Sequence, residues 1–524
     1  MEQAVVRARL EAPTLTEWGL TGISTALLIL SFPDFDLYLL AWISLAPVLV
    51  AIARRPAPFR ALILGWAMGT VFFYTTCYWL TYSMTHYGGL PPVVAYLLLI
   101  PGAMVTGVFP GLFASLLALA LKRWGPLALA LAPVLWPATE WLRLGVTGQL
   151  WNALGYSQAY HPMLIQSARW GGVYAVSFLI LMGNTSVALL FVRRSTRNVA
   201  ASAIMILVGL SAISLSATTV DKLDDLRSTA DSSTLTIIAL QPNVPMTAIK
   251  STEETQALVE RHFDLSTNAL ASQSGKRPTL VIWPESPMNF TYASTRAFQE
   301  RLANFTRDHG TSLLFNSLEP APADGAYNSA LLVNEEGRLI SQYDKIRLMP
   351  FGEYVPLPQW LPGASLIGGL VGEFTPGSNY TLMPIGAEGL RAGVFICIES
   401  AYPFIARRMT HEGARFLINI SNDGYLGPTA VMRQHLANVV FRAVENHRPV
   451  VRVTNTGLSA FIDAEGRIKD QTSAYNADVR IWSVTPTSSA ITAYTKYGDL
   501  FVQVCAAITA IVFVALLWWR FLRA

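Results

Sequence analysis

Three stretches of this chain end an apolar, strand-like run on a group that can do chemistry. Val281-Ile282-Trp283-Pro284-Glu285-Ser286 presents a carboxylate, and Tyr343-Asp344-Lys345 presents an ammonium. Val394-Phe395-Ile396-Cys397-Ile398-Glu399-Ser400 presents a thiol with a second carboxylate two residues on. Strand ends are where a rigid scaffold offers side chains to a pocket. A cysteine attacks as its thiolate, and a nearby cation and base favour that form. A carboxylate can take the thiol proton and return it to a leaving group, and an ammonium can stabilise the oxyanion of a tetrahedral intermediate. Glu285, Lys345 and Cys397 are thus chemically complete for acyl transfer. Singly, each has a plainer explanation. A lone cysteine at a strand end is most often a buried structural residue, and a Glu or Lys after a strand is most often a solvated end. Spacing alone does not bring the three together.

The elements that must position these groups have two textures. Of 524 residues, 52% are hydrophobic and only 14% charged, against about 25% charged in a soluble domain. A large part of the chain therefore belongs in lipid. About eight apolar runs predict membrane spans, near residues 18–32, 37–53, 61–82, 91–121, 125–144, 171–192, 199–217 and 500–519. The first two are short and separated only by Pro33-Asp34-Phe35-Asp36, so they are a tight pair of spans or one re-entrant hairpin. The fourth is long enough to tilt or to reach beyond the bilayer. Arg7 and Arg9, then Arg54, Arg55 and Arg60, then Lys122 and Arg123, then Arg193, Arg194 and Arg197, and finally Arg520 and Arg523 all fall on one side of eight spans. Arg169 is the main exception. The positive-inside rule makes both termini cytoplasmic and places the long segment from about residue 218 to 498 outside, in the periplasm of a Gram-negative cell. The net charge of +4 is read as this topology signal and not as a nucleic-acid face. The mixed first 17 residues, with no small-residue cleavage site after the first run, predict no removed signal peptide.

The outer segment opens on Asp221-Lys222-Leu223-Asp224-Asp225 and then alternates short apolar runs with helical patterns. Strands are predicted at residues 234–240, 279–283, 312–316, 330–333, 392–398, 416–420, 450–453 and 458–462, and helices at 253–271, 294–309, 403–411 and 428–445. This alternation is an α/β domain of layered sheets and helices, large enough to bury its own core. The expected organisation is a polytopic α-helical membrane domain of seven spans at 1–217, a linker at 218–233, the α/β domain at 234–490 and a last span within 491–524. No repeat or low-complexity segment is visible. Cys77 and Cys505 sit in apolar runs, so Cys397 alone of the three cysteines lies outside them. No metal-ligand spacing is present, and no metal or cofactor is expected.

The three motifs resemble the nitrilase, or carbon-nitrogen hydrolase, superfamily. Trp283-Pro284-Glu285-Ser286 matches its glutamate signature. Tyr343-Asp344-Lys345, leading to Pro350-Phe351-Gly352-Glu353-Tyr354-Val355-Pro356, matches its lysine signature, and Cys397-Ile398-Glu399-Ser400 its cysteine signature. With the spans around them, they are similar to the apolipoprotein N-acyltransferase family over nearly the whole chain. Gln241-Pro242-Asn243-Val244-Pro245, Tyr327-Asn328-Ser329, Asn419-Ile420-Ser421-Asn422-Asp423, the pieces from Arg442-Ala443 through Arg448-Pro449 to Asn455-Thr456-Gly457, and the stretch from Thr147-Gly148 to Gln158 match in order. The resemblance implies an αββα nitrilase-like sandwich. It implies Cys397 as the nucleophile that becomes an acyl thioester, Glu285 as general base and Lys345 as oxyanion stabiliser. Glu353 would orient Lys345 or share in proton handling, and Glu399 would fix the local loop. The implied substrates are a phospholipid donor, phosphatidylethanolamine through its sn-1 chain, and a diacylglyceryl-cysteine apolipoprotein acceptor. The implied setting is the bacterial inner membrane, with the enzyme a monomer. Two positions depart from the family. Asn422-Asp423-Gly424-Tyr425-Leu426-Gly427 stands where many members read Asn-Asp-Ala-Trp-Phe-Gly, and Lys250 stands near a common Trp. Both bear on substrate contacts, for which Asn422, Tyr425 and Leu370 are candidates.

Residues 357–371, with Leu-Pro-Gln-Trp-Leu-Pro-Gly and Ile367-Gly368-Gly369-Leu370-Val371, are too apolar for an ordinary exposed loop. They are either a membrane-dipping lid or a core-packing loop. Glu140 and Arg143 have helical i,i+3 spacing and would pair or snorkel at the end of the fifth span. Two rival functions stay open. A tethered amidase would use the same three residues but needs only one span. A transporter with an outer binding domain would need ionisable groups deep in the spans, and few are present.

Overall fold

The computed structural model of the chain describes residues 12–192, 195–225, 234–246, 251–272, 280–322, 325–350, 352–354, 374–386, 389–487 and 490–521. The expected lid at 357–371 with Leu370, the position of Lys250, and linker residues 226–233 lie outside them. The chain divides into two units, Met1–Leu223 with Tyr497–Ala524, and Asp224–Lys496.

The first unit is helical. Pro92–Trp124, Ala168–Val192, Thr196–Ala217 and Leu500–Trp518 are long and apolar enough to cross a membrane, and Pro58–Thr76 with Leu80–His86 makes a fifth if joined across its 50° bend. Among the described residues that makes four or five by length and composition, against the expected eight. Leu15–Leu30 and Tyr38–Arg54 are shorter apolar helices. The 125–144 run is split into a 3-10 turn at Pro126–Leu131 and a helix of 16 residues, Ala132–Thr147. A helix of that length rises about 24 Å, less than the roughly 30 Å hydrocarbon core. The helix Thr196–Asp225 continues through the charged stretch expected to be linker. The helices at 58–76 and 92–124 meet through small residues, Gly65 and Gly69 on one and Gly107 and Gly111 on the other. A Cβ on Gly65 would lie 2.5 Å from the Pro110 carbonyl oxygen, so only glycine permits this approach. Glu140 and Arg143 do not snorkel, and each lies within electrostatic reach of the other. Both are buried. Glu140 Oε1 accepts from Trp136 Nε1 and Leu154 N, and Arg143 donates to the Trp151 carbonyl at 2.8 Å, so both grip the turn that follows their helix.

The second unit holds two six-stranded sheets. The strands are β1 (Leu235–Gln241), β2 (Leu280–Ile282), β3 (Ser312–Pro320), β4 (Ala326–Val333), β5 (Leu339–Asp344), β6 (Leu382–Pro384), β7 (Arg391–Ile396), β8 (Phe416–Ser421), β9 (Val450–Thr454), β10 (Ala460–Ile462), β11 (Ile468–Gln471) and β12 (Asp478–Val484). The orders are β12-β1-β2-β3-β4-β5 and β11-β10-β9-β8-β7-β6. Strands β1, β2 and β3 run parallel, as do β7, β8 and β9, and antiparallel strands flank them. The series strand-helix-strand-helix-strand-strand-strand thus occurs twice, a repetition of topology that the sequence does not display. Alternate residues of the first sheet, among them Ile238, Leu240, Val281, Trp283, Leu313 and Phe315, pack on Phe263, Leu302 and Phe305 of the helices Thr252–Ala271 and Arg296–His309. Pro403–His411 and Val431–Asn446 cover the second sheet, and the resulting layers are helix, sheet, sheet and helix. The helix Thr252–Ala271 starts at a capping box, Ser251 with Glu254, and Arg296–His309 stops at Gly310 with φ +56°.

His262 lies wholly buried in that helix-sheet layer, its ring tilted against Trp283 and edge-on to Phe290. Burial pushes its pKa from 6.5 down to about 4, so the folded protein holds this ring neutral. The folded state then binds fewer protons than the unfolded chain. Its stabilising effect is complete above pH about 6.5 and is lost as pH falls toward 4, by up to about 3 kcal/mol. His262→Leu is expected to flatten the fall in melting temperature between pH 7 and pH 4.5. Equal slopes for the two proteins would refute the assignment.

Candidate active site

The reactive groups lie at the carboxyl ends of strands, where open α/β sheets present their crevices. Glu285 follows β2, Lys345 follows β5 and Cys397 follows β7. Lys345 is 1% exposed, and its Nζ lies 2.8 Å from Glu353 Oε1 and 3.4 Å from Glu285 Oε1. Burial by itself would lower its pKa, but the carboxylates of Glu285 and Glu353 outweigh that and hold the ammonium well above its ordinary range. The Cys397 thiol is within electrostatic reach of Glu285, Lys345, Asp423 and Glu353. Burial, then Glu285, push the thiol up, and Lys345 pulls against them. The resting group is therefore the thiol. The sequence pattern favours a thiolate because it shows one base and one cation, whereas the folded site surrounds the sulfur with three carboxylates and one ammonium.

Glu353 and Glu399 have different places. Glu353 receives Lys345 Nζ and Asn328 Nδ2 on Oε1 and the Met349 N–H on Oε2 at 2.7 Å. Glu399 is buried at the other end of the lysine segment. It accepts from Tyr343 Oη, from the N–H groups of Ile346 and Arg347, and from the Ile396 N–H. It thereby ties the loop that carries Lys345 to the strand that carries Cys397. Burial pushes its carboxyl up to about 7, against the pull of the Ile396 and Arg347 N–H bonds.

Of the expected substrate contacts, Tyr425 is 48% exposed. Asn422 is buried, and its side-chain oxygen accepts from Gly424 N at 3.2 Å and Asn455 Nδ2 at 3.3 Å. Its backbone N–H, not its amide, reaches the site and donates to Glu285 Oε2 at 3.1 Å. Met246 Sδ packs 2.8 Å from where a Cβ on Gly424 would stand, filling the space of the alanine common at that position. Sequence reasoning missed the role of Asn328. Its Nδ2 donates to both Glu285 Oε1 at 2.9 Å and Glu353 Oε1 at 2.8 Å, and its Oδ1 accepts from Asn316. The Tyr327-Asn328-Ser329 piece was the only signal for it. Asp423, His435 and Arg452, packed behind Cys397, were missed as well.

Two family models match the chain. Residues 24–186 match the apolipoprotein N-acyltransferase N-terminal domain and residues 237–493 match carbon-nitrogen hydrolase. An apolipoprotein N-acyltransferase of Geobacter metallireducens is 33% identical over 505 residues, covering 94% of this chain and 93% of that protein. Those of Brucella melitensis and Chlorobaculum tepidum are 29% and 27% identical, over 85% and 94% of this chain and the same shares of their own lengths. Among solved structures, Saccharomyces cerevisiae Nit3, a member of branch 10 of the nitrilase superfamily, is 18% identical and aligns with 48% of this chain and 90% of its own, at a TM-score of 0.37.

Proposed function

The chain belongs to the apolipoprotein N-acyltransferase family, and on that premise we propose that it moves a fatty acyl chain from a phospholipid to the amino terminus of a lipoprotein through a thioester on Cys397. What supports this reading most is the buried Lys345 held between Glu285 and Glu353 with the Cys397 thiol in their field, in a chain whose other unit is apolar helix.

The roles follow from the charges. As the donor ester enters, the thiol gives its proton to Glu285 while sulfur bonds to the acyl carbon, so a free thiolate is never needed at rest. The Lys345 ammonium faces the oxyanion, and Glu353, itself held by the Asn328 amide, keeps it there. The ester C–O bond then breaks, and Glu285 returns the proton to the glycerol oxygen of the departing lysophospholipid. In the second half the diacylglyceryl-cysteine ammonium first loses a proton to solvent. Its free amine bonds to the thioester carbon, Glu285 takes the second amine proton, the C–S bond breaks and the thiol is re-formed. The Asn422 N–H on Glu285 Oε2 and the Asn328 amide on Oε1 keep this carboxylate aimed through both halves.

The reading includes phosphatidylethanolamine as donor and a monomeric enzyme in the bacterial inner membrane. The short helices complete eight crossings, the termini are cytoplasmic and residues 234–490 are periplasmic. The one-sided run of Arg and Lys between apolar segments supports this topology. Both substrates are anchored in one leaflet, and drawing a long acyl chain into water costs on the order of 10 kcal/mol, so an enzyme embedded beside them avoids the extraction. The test supplies the purified protein with phosphatidylethanolamine labelled in its sn-1 chain, with and without a diacylglyceryl lipopeptide. Labelled N-acyl lipopeptide and lysophospholipid are expected. Release of all label as free fatty acid, even at saturating lipopeptide, would replace the transferase with a tethered hydrolase.

A further inference from the structure

Cys397 has φ of +50°, a left-handed conformation uncommon for a residue with a side chain and held only where neighbours enforce it. The neighbour that reaches it is His435, on the buried helix Val431–Asn446. His435 Nε2 lies 2.9 Å from the carbonyl oxygen of Cys397. A carbonyl only accepts, so Nε2 carries the hydrogen. On the other side of the ring, Nδ1 lies 2.9 Å from Asp423 Oδ1. Asp423 Oδ2 accepts from Arg452 Nη2 at 2.7 Å, and Oδ1 accepts from Ser421 Oγ at 3.0 Å. Arg452 also donates to Asn419 Oδ1, and Asn419 Nδ2 donates to the Phe395 carbonyl at 3.1 Å. His435, Asp423, Arg452 and Asn419 are all at most 2% exposed.

A buried ionic network of this kind is poor evidence of stability, because well-packed apolar residues often do as well. Its outlet is more informative, because the chain of donors ends on the backbone of the residue proposed as nucleophile. We propose that His435 is a positioning residue that holds the Cys397 peptide in its left-handed conformation, with Asp423 and Arg452 holding the ring. In a planar trans peptide the carbonyl of Cys397 and the N–H of Ile398 point in opposite directions. Fixing one fixes the other, and with them the Cα from which the thiol projects. This inference rests on Cys397 being the nucleophile.

Two amide variants separate the two sides of the ring. A glutamine at 435 can place an N–H near the Nε2 position, where it reaches Cys397. An asparagine is shorter and can serve only Asp423. The measurement is the single-turnover rate of Cys397 acylation, with phosphatidylethanolamine and separately with a p-nitrophenyl ester, alongside donor KM and melting temperature. His435→Leu and His435→Asn are expected to slow acylation about 100-fold with donor KM unchanged, as for a misplacement of about 1 Å. His435→Gln is expected to recover to within about tenfold of the wild type. If His435→Leu does not fold, the Asn and Gln pair decides alone. Equal rates for Asn and Gln, or a wild-type rate in either Asn or Leu, would overturn the proposal. Failure of the function reading looks different: the wild type would then acylate with the nitrophenyl ester and not with the phospholipid, and the His435 comparison would still be read from the ester.

Discussion

Cys397→Ala is expected to abolish acyl transfer and to leave no acyl adduct on the intact protein, while Cys77→Ala and Cys505→Ala stay near normal. The loss should be about 1,000-fold or more, because the covalent route disappears and water or amine must attack the ester directly. Cys77 lies among the helices of the other unit and Cys505 is buried in the helix Leu500–Phe521, whereas Cys397 shares one unit with Glu285 and Lys345. Cys397→Ser sharpens the result. A serine hydroxyl is a far weaker acid than a thiol, and the two carboxylates around Lys345 oppose its ionisation further, so it should be nearly as inactive as alanine. Intact mass after incubation with phosphatidylethanolamine reads the adduct. An acyl adduct that persists in Cys397→Ala, or activity within tenfold of the wild type, would sink the nucleophile assignment.

Lys345→Met is expected to damage stability and activity together. The side chain is 1% exposed and sits 2.8 Å from Glu353 and 3.4 Å from Glu285. Methionine fills much of its length but leaves two carboxylates facing each other without a cation. Removing one member of a buried ion pair costs about 3–5 kcal/mol. The oxyanion also loses its charged partner, worth about 100- to 1,000-fold in rate. A second change separates the two losses. Lys345→Met with Glu353→Gln removes one of the opposing charges and should recover part of the melting temperature with no recovery of activity. Unchanged stability in the single variant would mean that Lys345 does not bear the charge balance of the site. Activity restored in the double variant would mean that its ammonium does not serve the oxyanion.

The interior of the α/β unit was legible in the sequence because interior strands and helices write their environment locally. The eight predicted strands all exist, and all four predicted helices do. The strands absent from that reading are β5, β6, β11 and β12, and these are the outer strands of the two sheets. An edge strand is half solvated and lacks the apolar run that marks a central one. β11, with Ile468 and Asp470 half-buried and Lys469 and Gln471 exposed, carries no signal stronger than a loop. The same locality leaves the span count coarse, since an apolar run does not reveal that Pro126 opens a short turn within it or that the chain bends near Cys77.

The identities of Glu285, Lys345, Cys397, Glu353 and Glu399 came from residue type, from their position at strand ends and from resemblance. Their arrangement did not, because the contacts that bring the three segments together join distant parts of the chain. Asn328 reaches Glu285 across 43 residues, Tyr343 reaches Glu399 across 56, and the Asn422 N–H reaches Glu285 across 137. The protonation state of the thiol was decided at that same level. A pKa is set by the sum of burial and every charge within a few ångströms, and only folding brings Glu353 and Asp423 into that sum beside Glu285 and Lys345. The left-handed turn at Cys397 and the buried His435 that meets its carbonyl belong there too. The sequence by itself determined which groups are present and which elements carry them, because side-chain chemistry and hydrophobic period are local properties. The tertiary structure alone decided which charges meet, which proton the thiol keeps and which side chain meets the Cys397 carbonyl, because those are properties of distances that no local pattern encodes.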